Sequence, residues 1–131
     1  MATLRKLSDM GGRRVLITGG GGHLGRVMAE TLAELGASII LLDRPGVRFG
    51  SIQSDLVRKW KASCLCIECD LESEQERNRA IQEIKSDGEG LNCLINNAAF
   101  GGTTELEGWV TSFEMQSLAT WRRALEVNLT A

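Results

Sequence analysis

The sequence has no tyrosine, one histidine and one proline, and its aromatic content is 5%. Without tyrosine there is no phenol to act as a proton donor or acceptor in catalysis. His23 is therefore the only imidazole that could serve as a general base near neutral pH. A long hydrophobic run is also missing. The longest, around Ile39, falls far short of the ~20 apolar residues that span a bilayer. The opening stretch MATLRKLSDMGGRR lacks the apolar centre of a secretory signal. Basic excess is absent too, since 15 Lys and Arg face 17 Asp and Glu. That balance speaks against nucleic acid or an anionic membrane surface as a partner. A cytoplasmic protein is expected.

Cysteine is present but sparse: Cys64, Cys66, Cys69 and Cys93. C-x-C-x-x-C invites a metal-site reading. On a strand, however, Cys64 and Cys66 share one face and Cys69 points to the other. Such a set does not converge on a tetrahedral ion. Small buried apolar residues are the expectation, with no disulfides in a reducing compartment.

The chain alternates between two hydrophobic patterns. Val15 to Thr18 is a β-branched run that ends in glycine and reads as a first strand. Leu24, Val27, Met28, Leu32 and Leu35 then fall at helical spacing, and Gly36 is a stop. Ser38 to Leu42 is a second strand, apolar on both faces as in a covered parallel sheet. Arg44-Pro45-Gly46 breaks it. A helix over Ile52 to Trp60, a strand over Cys64 to Cys69 and a helix over Ser73 to Ile84 follow. The last should start in a capping box of Ser73 and Glu76. Asp87 to Gly90 reads as a turn, and Leu91 to Ile95 as a fourth strand. Leu118, Trp121, Leu125 and Leu129 mark a final helix running to the chain's end. This β-α-β-α-β-α-β-α order predicts an α/β fold, a doubly wound parallel sheet in one domain.

Between the first strand and the first helix stands LITGGGGHLG, with Gly19, Gly22 and Gly25 three apart. A dinucleotide pyrophosphate sits close to backbone over a helix N-terminus, where free N–H groups meet its oxygens. A Cβ in that turn would block the approach. A P-loop is excluded, because Arg26-Val27 follows Gly25 where Lys-Ser/Thr would be needed. The glycines alone leave S-adenosylmethionine open as a ligand. Asp43, at the end of the second strand, is placed to accept from the adenosine ribose hydroxyls. Its carboxylate would repel the 2′-phosphate of NADP, whereas Arg44 beside it would attract one. NAD is the expected cofactor, ahead of NADP.

Several landmarks coincide: Thr18-Gly19-x-x-Gly22-x-x-Gly25, Asp43, Asp70-Leu71, Asn96-Asn97-Ala98-Ala99, and Asn128 within LEVNLTA. Together, from about Arg13 to Ala131, they make the sequence resemble the short-chain dehydrogenase/reductase family, whose core is a Rossmann-type sheet. The resemblance implies that Gly19, Gly21, Gly22, His23, Leu24 and Gly25 line the pyrophosphate and nicotinamide ribose. It implies that Asp43 and Arg44 meet the adenosine ribose and that Asp70 and Leu71 flank the adenine. Asn97, Ala98 and Ala99 would run along the cofactor, with Val127 near the nicotinamide. Asn128 resembles the family's catalytic asparagine, which bends its helix and holds a water in the proton relay. His23 departs from the more common glycine pattern, and a structural role or a ribose or phosphate contact is expected for it rather than base catalysis. Trp109 and Phe113 fall in a connection longer than the family's usual one. They could line a substrate pocket or subunit contact, or be buried under their own loop. The stretch FEMQSLATWRRALEVNLTA resembles members found with bacterial sugar and surface-glycan genes.

The activity implied is hydride transfer between a nicotinamide cofactor and a secondary alcohol or ketone, a sugar derivative among the candidates. In that family a serine and a Tyr-x-x-x-Lys complete the site. Here neither follows Asn128, and Lys59, Lys61 and Lys85 lie in earlier segments. The expectation is an incomplete N-terminal portion, residues 1–131, inactive by itself and homo-oligomeric when full length. A non-catalytic dinucleotide-binding module or a truncated fragment is the alternative. Either leaves the fourth strand as an unpaired apolar edge.

Overall fold

The computed structural model describes residues 3–86, 88–100 and 107–131. After a short helix α1 (Leu4–Leu7), the chain runs β1 (Arg14–Thr18), α2 (His23–Glu34), β2 (Ser38–Asp43) and α3 (Phe49–Trp60). It continues through β3 (Cys64–Glu68), α4 (Glu74–Ser86) and β4 (Cys93–Ile95) to a 3-10 turn (Phe113–Met115) and α5 (Leu118–Leu125). A π-helical turn, Glu126–Thr130, follows directly.

The strands form one parallel sheet in the order β3-β2-β1-β4. Alternation along β1 and β2 divides the core into two layers. Val15, Ile17, Ile39 and Leu41 face α2 and α3, packed with Ala29, Ala33, Phe49, Ile52 and Leu56. Leu16, Ile40 and Leu42 face the other way, against Ile67, Cys69 and the α4 residues Ala80 and Ile84. Both faces of β2 are buried, hence its unbroken Ile39–Leu42 run.

The doubly wound alternation read from the sequence is present, with differences that have physical causes. On α2 the buried positions are Gly25, Ala29 and Ala33, while Leu24 and Val27 are more than half exposed. Small residues one helical turn apart let the helix axis approach the sheet closely, so the seam is made by size rather than hydrophobicity. In α3 the helix begins at Phe49, a buried residue, ahead of Ile52. β4 begins at Cys93, because Asn92 is engaged by Arg14 instead: its Oδ1 accepts from Arg14 N–H at 2.8 Å. The buried Arg14 guanidinium also donates to the Ile84 and Gly90 carbonyls, tying the end of α4 to β1. Asp87 of the expected turn lies outside the described residues, as do 101–106. Ser73 Oγ accepts from Glu76 N–H at 3.3 Å, but Glu76 returns its carboxylate to Asp70 N–H at 2.7 Å rather than to Ser73. The final helix stays regular only to Leu125, then widens.

Cys64 and Cys66 lie on one face of β3 and Cys69 on the other, and all four cysteines are free. Among the described residues no group of three or more metal-binding side chains assembles, and no helix is long and apolar enough to cross a membrane.

Candidate functional site

The site begins where β1 ends. Gly19 takes a left-handed backbone, φ 65°, which glycine adopts without strain. A Cβ there would meet Ala98 Cα at 2.9 Å and Asn97 Nδ2 at 3.0 Å. At Gly25 a Cβ would fall on the Gly19 carbonyl oxygen and lie 2.8 Å from Gly20 Cα. Gly20 is closed off by Leu41 and Gly21 by Val47. The glycines are thus required first by the protein's own close packing, before any ligand arrives. Gly22 is the N-cap of α2, and no side chain caps the helix. The first-turn N–H groups of α2 are left for an outside acceptor, with the positive end of the helix dipole behind them.

Asp43 ends β2 and reaches this turn. Its Oδ2 accepts from Gly21 N–H at 2.9 Å, and its Oδ1 from Arg44 N–H at 2.8 Å. Arg44 itself is exposed. On the other flank Thr18 Oγ1 accepts from the N–H groups of both Asn97 and Ala98 at 3.0 Å. Asn97 Nδ2 in turn donates to the Thr18 carbonyl at 2.9 Å and to that of Gly19 at 3.2 Å. These bonds fasten the segment after β4 to the glycine turn. Thr18 is the hub of this junction, a role whose one signal in the sequence is the Thr-Gly step at a strand end.

The expected site residues separate into two places. Gly21 and His23 open into a groove of about 430 Å³ between α2 and α3, continued by Arg26 and Asp55. Leu71, Ala98, Val127 and Asn128 line a cavity of about 220 Å³ on the opposite face of the sheet. Leu24 and Ala99 are exposed. Asp70 turns its carboxylate onto its own loop, where Oδ1 accepts from Glu72 N–H at 2.9 Å. Asn128 sits in the π turn, and its Oδ1 accepts from Phe100 N–H at 2.9 Å. Trp109 packs on Trp121 with ring centroids 5.2 Å apart, while Phe113 is 83% exposed.

The segment that carries Val127 and Asn128 is held by charge. Arg123 grips both carboxylate oxygens of Glu72, at 2.7 and 2.9 Å. Arg77 pairs with Glu126 at 2.9 Å and donates to the Leu71 carbonyl. Nothing in the periodicity of α4 distinguishes Arg77 from a solvated helical charge. The hydrogen bond from Arg123 holds the Glu72 carboxyl below its ordinary value of 4.5. A depressed carboxyl contributes fully above that value and loses its contribution as pH falls through the folded one. Acidification should therefore loosen the hold on α5 while the sheet stays intact. The expected signal is a change in tryptophan fluorescence from the Trp109–Trp121 pair while far-UV circular dichroism persists. An exposed pair is worth about 0.5 kcal/mol, and Glu72→Gln should remove the acid step. An acid step that survives in Glu72→Gln would assign it elsewhere.

Comparison with known proteins agrees with this geometry. A family model described as short chain dehydrogenase matches residues 13–131. The 3-oxoacyl-acyl-carrier-protein reductase FabG of Aquifex aeolicus (strain VF5) is 33% identical over 91% of this chain and 45% of its own length. The NADPH-dependent 3-quinuclidinone reductase of Rhodotorula rubra superposes with a TM-score of 0.83 at 26% identity, covering 99% of this chain and 47% of that one. An NAD+-bound xylitol dehydrogenase gives 0.79 at 25% identity, over 93% and 44%. The chain thus spans under half the length of these relatives.

Proposed function

Because the chain belongs to the short-chain dehydrogenase family, we propose that its residues form the cofactor-binding half of an NAD-dependent oxidoreductase acting on a secondary alcohol or ketone. The observation that carries this reading is the uncapped α2 N-terminus above the Gly19–Gly25 turn, with Asp43 at its side. The first-turn N–H groups of α2 hold the pyrophosphate, and Asp43 takes the adenosine ribose hydroxyls. Asp70 and Leu71 flank the adenine; Asn97, Ala98 and Ala99 run beneath the cofactor. Asn128 fixes a water at the nicotinamide end. When bound, the nicotinamide supplies or accepts the hydride.

A carbonyl substrate is supported by the relatives' names, which include a 3-oxoacyl reductase. A sugar derivative is the narrower candidate. With no tyrosine in the 131 residues, binding without turnover is proposed for this chain alone. The exposed stripe of Leu118, Trp121, Leu125 and Leu129 supports a homo-oligomer for the whole protein.

Calorimetric titration of the chain with NAD and NADP, with its mass in solution measured alongside, tests the reading. NAD should bind at least about tenfold tighter, the ratio given by ~1.4 kcal/mol of repulsion between Asp43 and a 2′-phosphate. Tighter NADP binding would transfer the selection to Arg44. Binding of neither by a folded chain would refute the site.

A further inference from the structure

The two sulfurs of Cys64 and Cys66 lie 3.9 Å apart on the same face of β3. We propose that they form a dithiol site for a soft, trivalent, thiophilic centre of the arsenic(III) class. The inference does not depend on the dinucleotide reading.

The spacing is imposed by the strand. Both residues are paired to β2, Cys64 opposite Ile39 and Cys66 opposite Leu41. Gln53 Nε2 holds the Cys64 carbonyl at 2.8 Å. Two residues of a strand advance by about 6.6 Å, the far limit of the ~4.4–6.8 Å Cα separation that a disulfide tolerates. A direct S–S bond would have to pull the strand out of its pleat. A single bridging atom needs no such movement, since it keeps the two sulfurs at non-bonded distance.

Access and reactivity agree with this. Among the described residues β3 pairs only with β2, so its far side is an open edge. Both cysteines are half-buried beside α3 rather than sealed in the core. One thiol proton is shared between the two sulfurs, and either sulfur can donate it; this hydrogen bond holds the Cys66 thiol below its ordinary value and pushes Cys64 up. A shared proton of this kind makes one thiolate of the pair easier to form, and that thiolate attacks first. Cys69 lies on the opposite face and Cys93 on β4, with β2 and β1 between it and β3. Only two sulfurs converge, which suits a dithiol ligand and not tetrahedral zinc.

Phenylarsine oxide is the probe. Two As–S bonds form, the As=O bond breaks, and the two thiol protons leave with its oxygen as one water. No oxidant or reductant is needed. The native chain should take up one phenylarsenic group, and the adduct, once denatured, should titrate two free thiols of the four. The adduct should survive excess glutathione and be reversed by dithiothreitol. Cys64→Ser and Cys66→Ser should each lose the glutathione-resistant adduct, while Cys93→Ser keeps it. Fragmentation mass spectrometry of the wild-type adduct should place the arsenic across Cys64 and Cys66, which needs no variant to fold. Failure of the native chain to take up the arsenical, or its retention by Cys64→Ser or Cys66→Ser, would overturn the assignment.

Discussion

Replacing Gly25 by alanine should abolish the NAD binding proposed above and lower stability by about 3 kcal/mol, the upper range for overpacking a close contact. The new methyl falls on the Gly19 carbonyl oxygen and against Gly20 Cα. Both are backbone atoms, so no rotamer change relieves the clash. The helix must lift from the turn instead, and Ala29 and Ala33, which share the buried seam, lift with it. Movement of α2 also carries the first-turn N–H groups away from the place where a pyrophosphate would sit. Gly50→Ala is the control: a Cβ there meets nothing within 4 Å, and it lies in α3. That change should be neutral or stabilising by about 0.5–1 kcal/mol. Urea unfolding midpoints and calorimetric titration read both variants. A Gly25→Ala chain as stable as the parent and still binding NAD would show that close approach is not what requires glycine there.

The second large effect belongs to Asp43. Its carboxylate receives the Gly21 and Arg44 N–H groups and, in the function proposed above, the ribose hydroxyls as well. A hydrogen bond to a charged acceptor is worth about 1.5–3 kcal/mol. Asp43→Ala should therefore weaken NAD about 10- to 100-fold, with NADP affected much less. Asp43→Asn keeps one oxygen, enough to accept from Gly21 N–H, but gives up the charge and the second acceptor that now receives Arg44 N–H. It should hold the turn in place while narrowing the gap between NAD and NADP. Parental selectivity in Asp43→Asn, measured by titration with both nucleotides, would show that the carboxylate charge does not discriminate.

What was readable in the sequence follows from what each pattern reports. The buried strands declared themselves through Val15–Thr18 and Ser38–Leu42, because a strand covered on both faces has no polar alternation to hide it. The apolar stripe of α2 marked the helix and sets Met28 and Leu32 against the core, but Leu24 and Val27 are exposed and the fully buried seam is Gly25, Ala29 and Ala33. Hydrophobic spacing cannot register a contact made by smallness. The glycine turn and Asp43 were visible as a motif. Their mutual hydrogen bond was not, nor was Val47 pressing on Gly21, because these join residues far apart in the chain. The Leu118–Leu129 periodicity marked a helix correctly as far as Leu125. The widening after it leaves no trace in the periodicity, and its one signal is Asn128, which resembles a helix-bending asparagine.

Arg77 holds two segments with one guanidinium: the Leu71 carbonyl on one side and Glu126 on the other. Leu71 belongs to the loop after β3, and Glu126 begins the turn that carries Val127 and Asn128. A group shared in this way makes the ordering of one segment part of the free energy of ordering the other. Thermodynamic linkage is symmetrical. A ligand fragment that settles the Leu71 loop lowers the cost of settling Asn128, and one that settles Asn128 returns the same amount to the loop. The distant ends of an extended ligand would then bind as cooperative halves, with affinity for the whole exceeding what the two halves deliver separately.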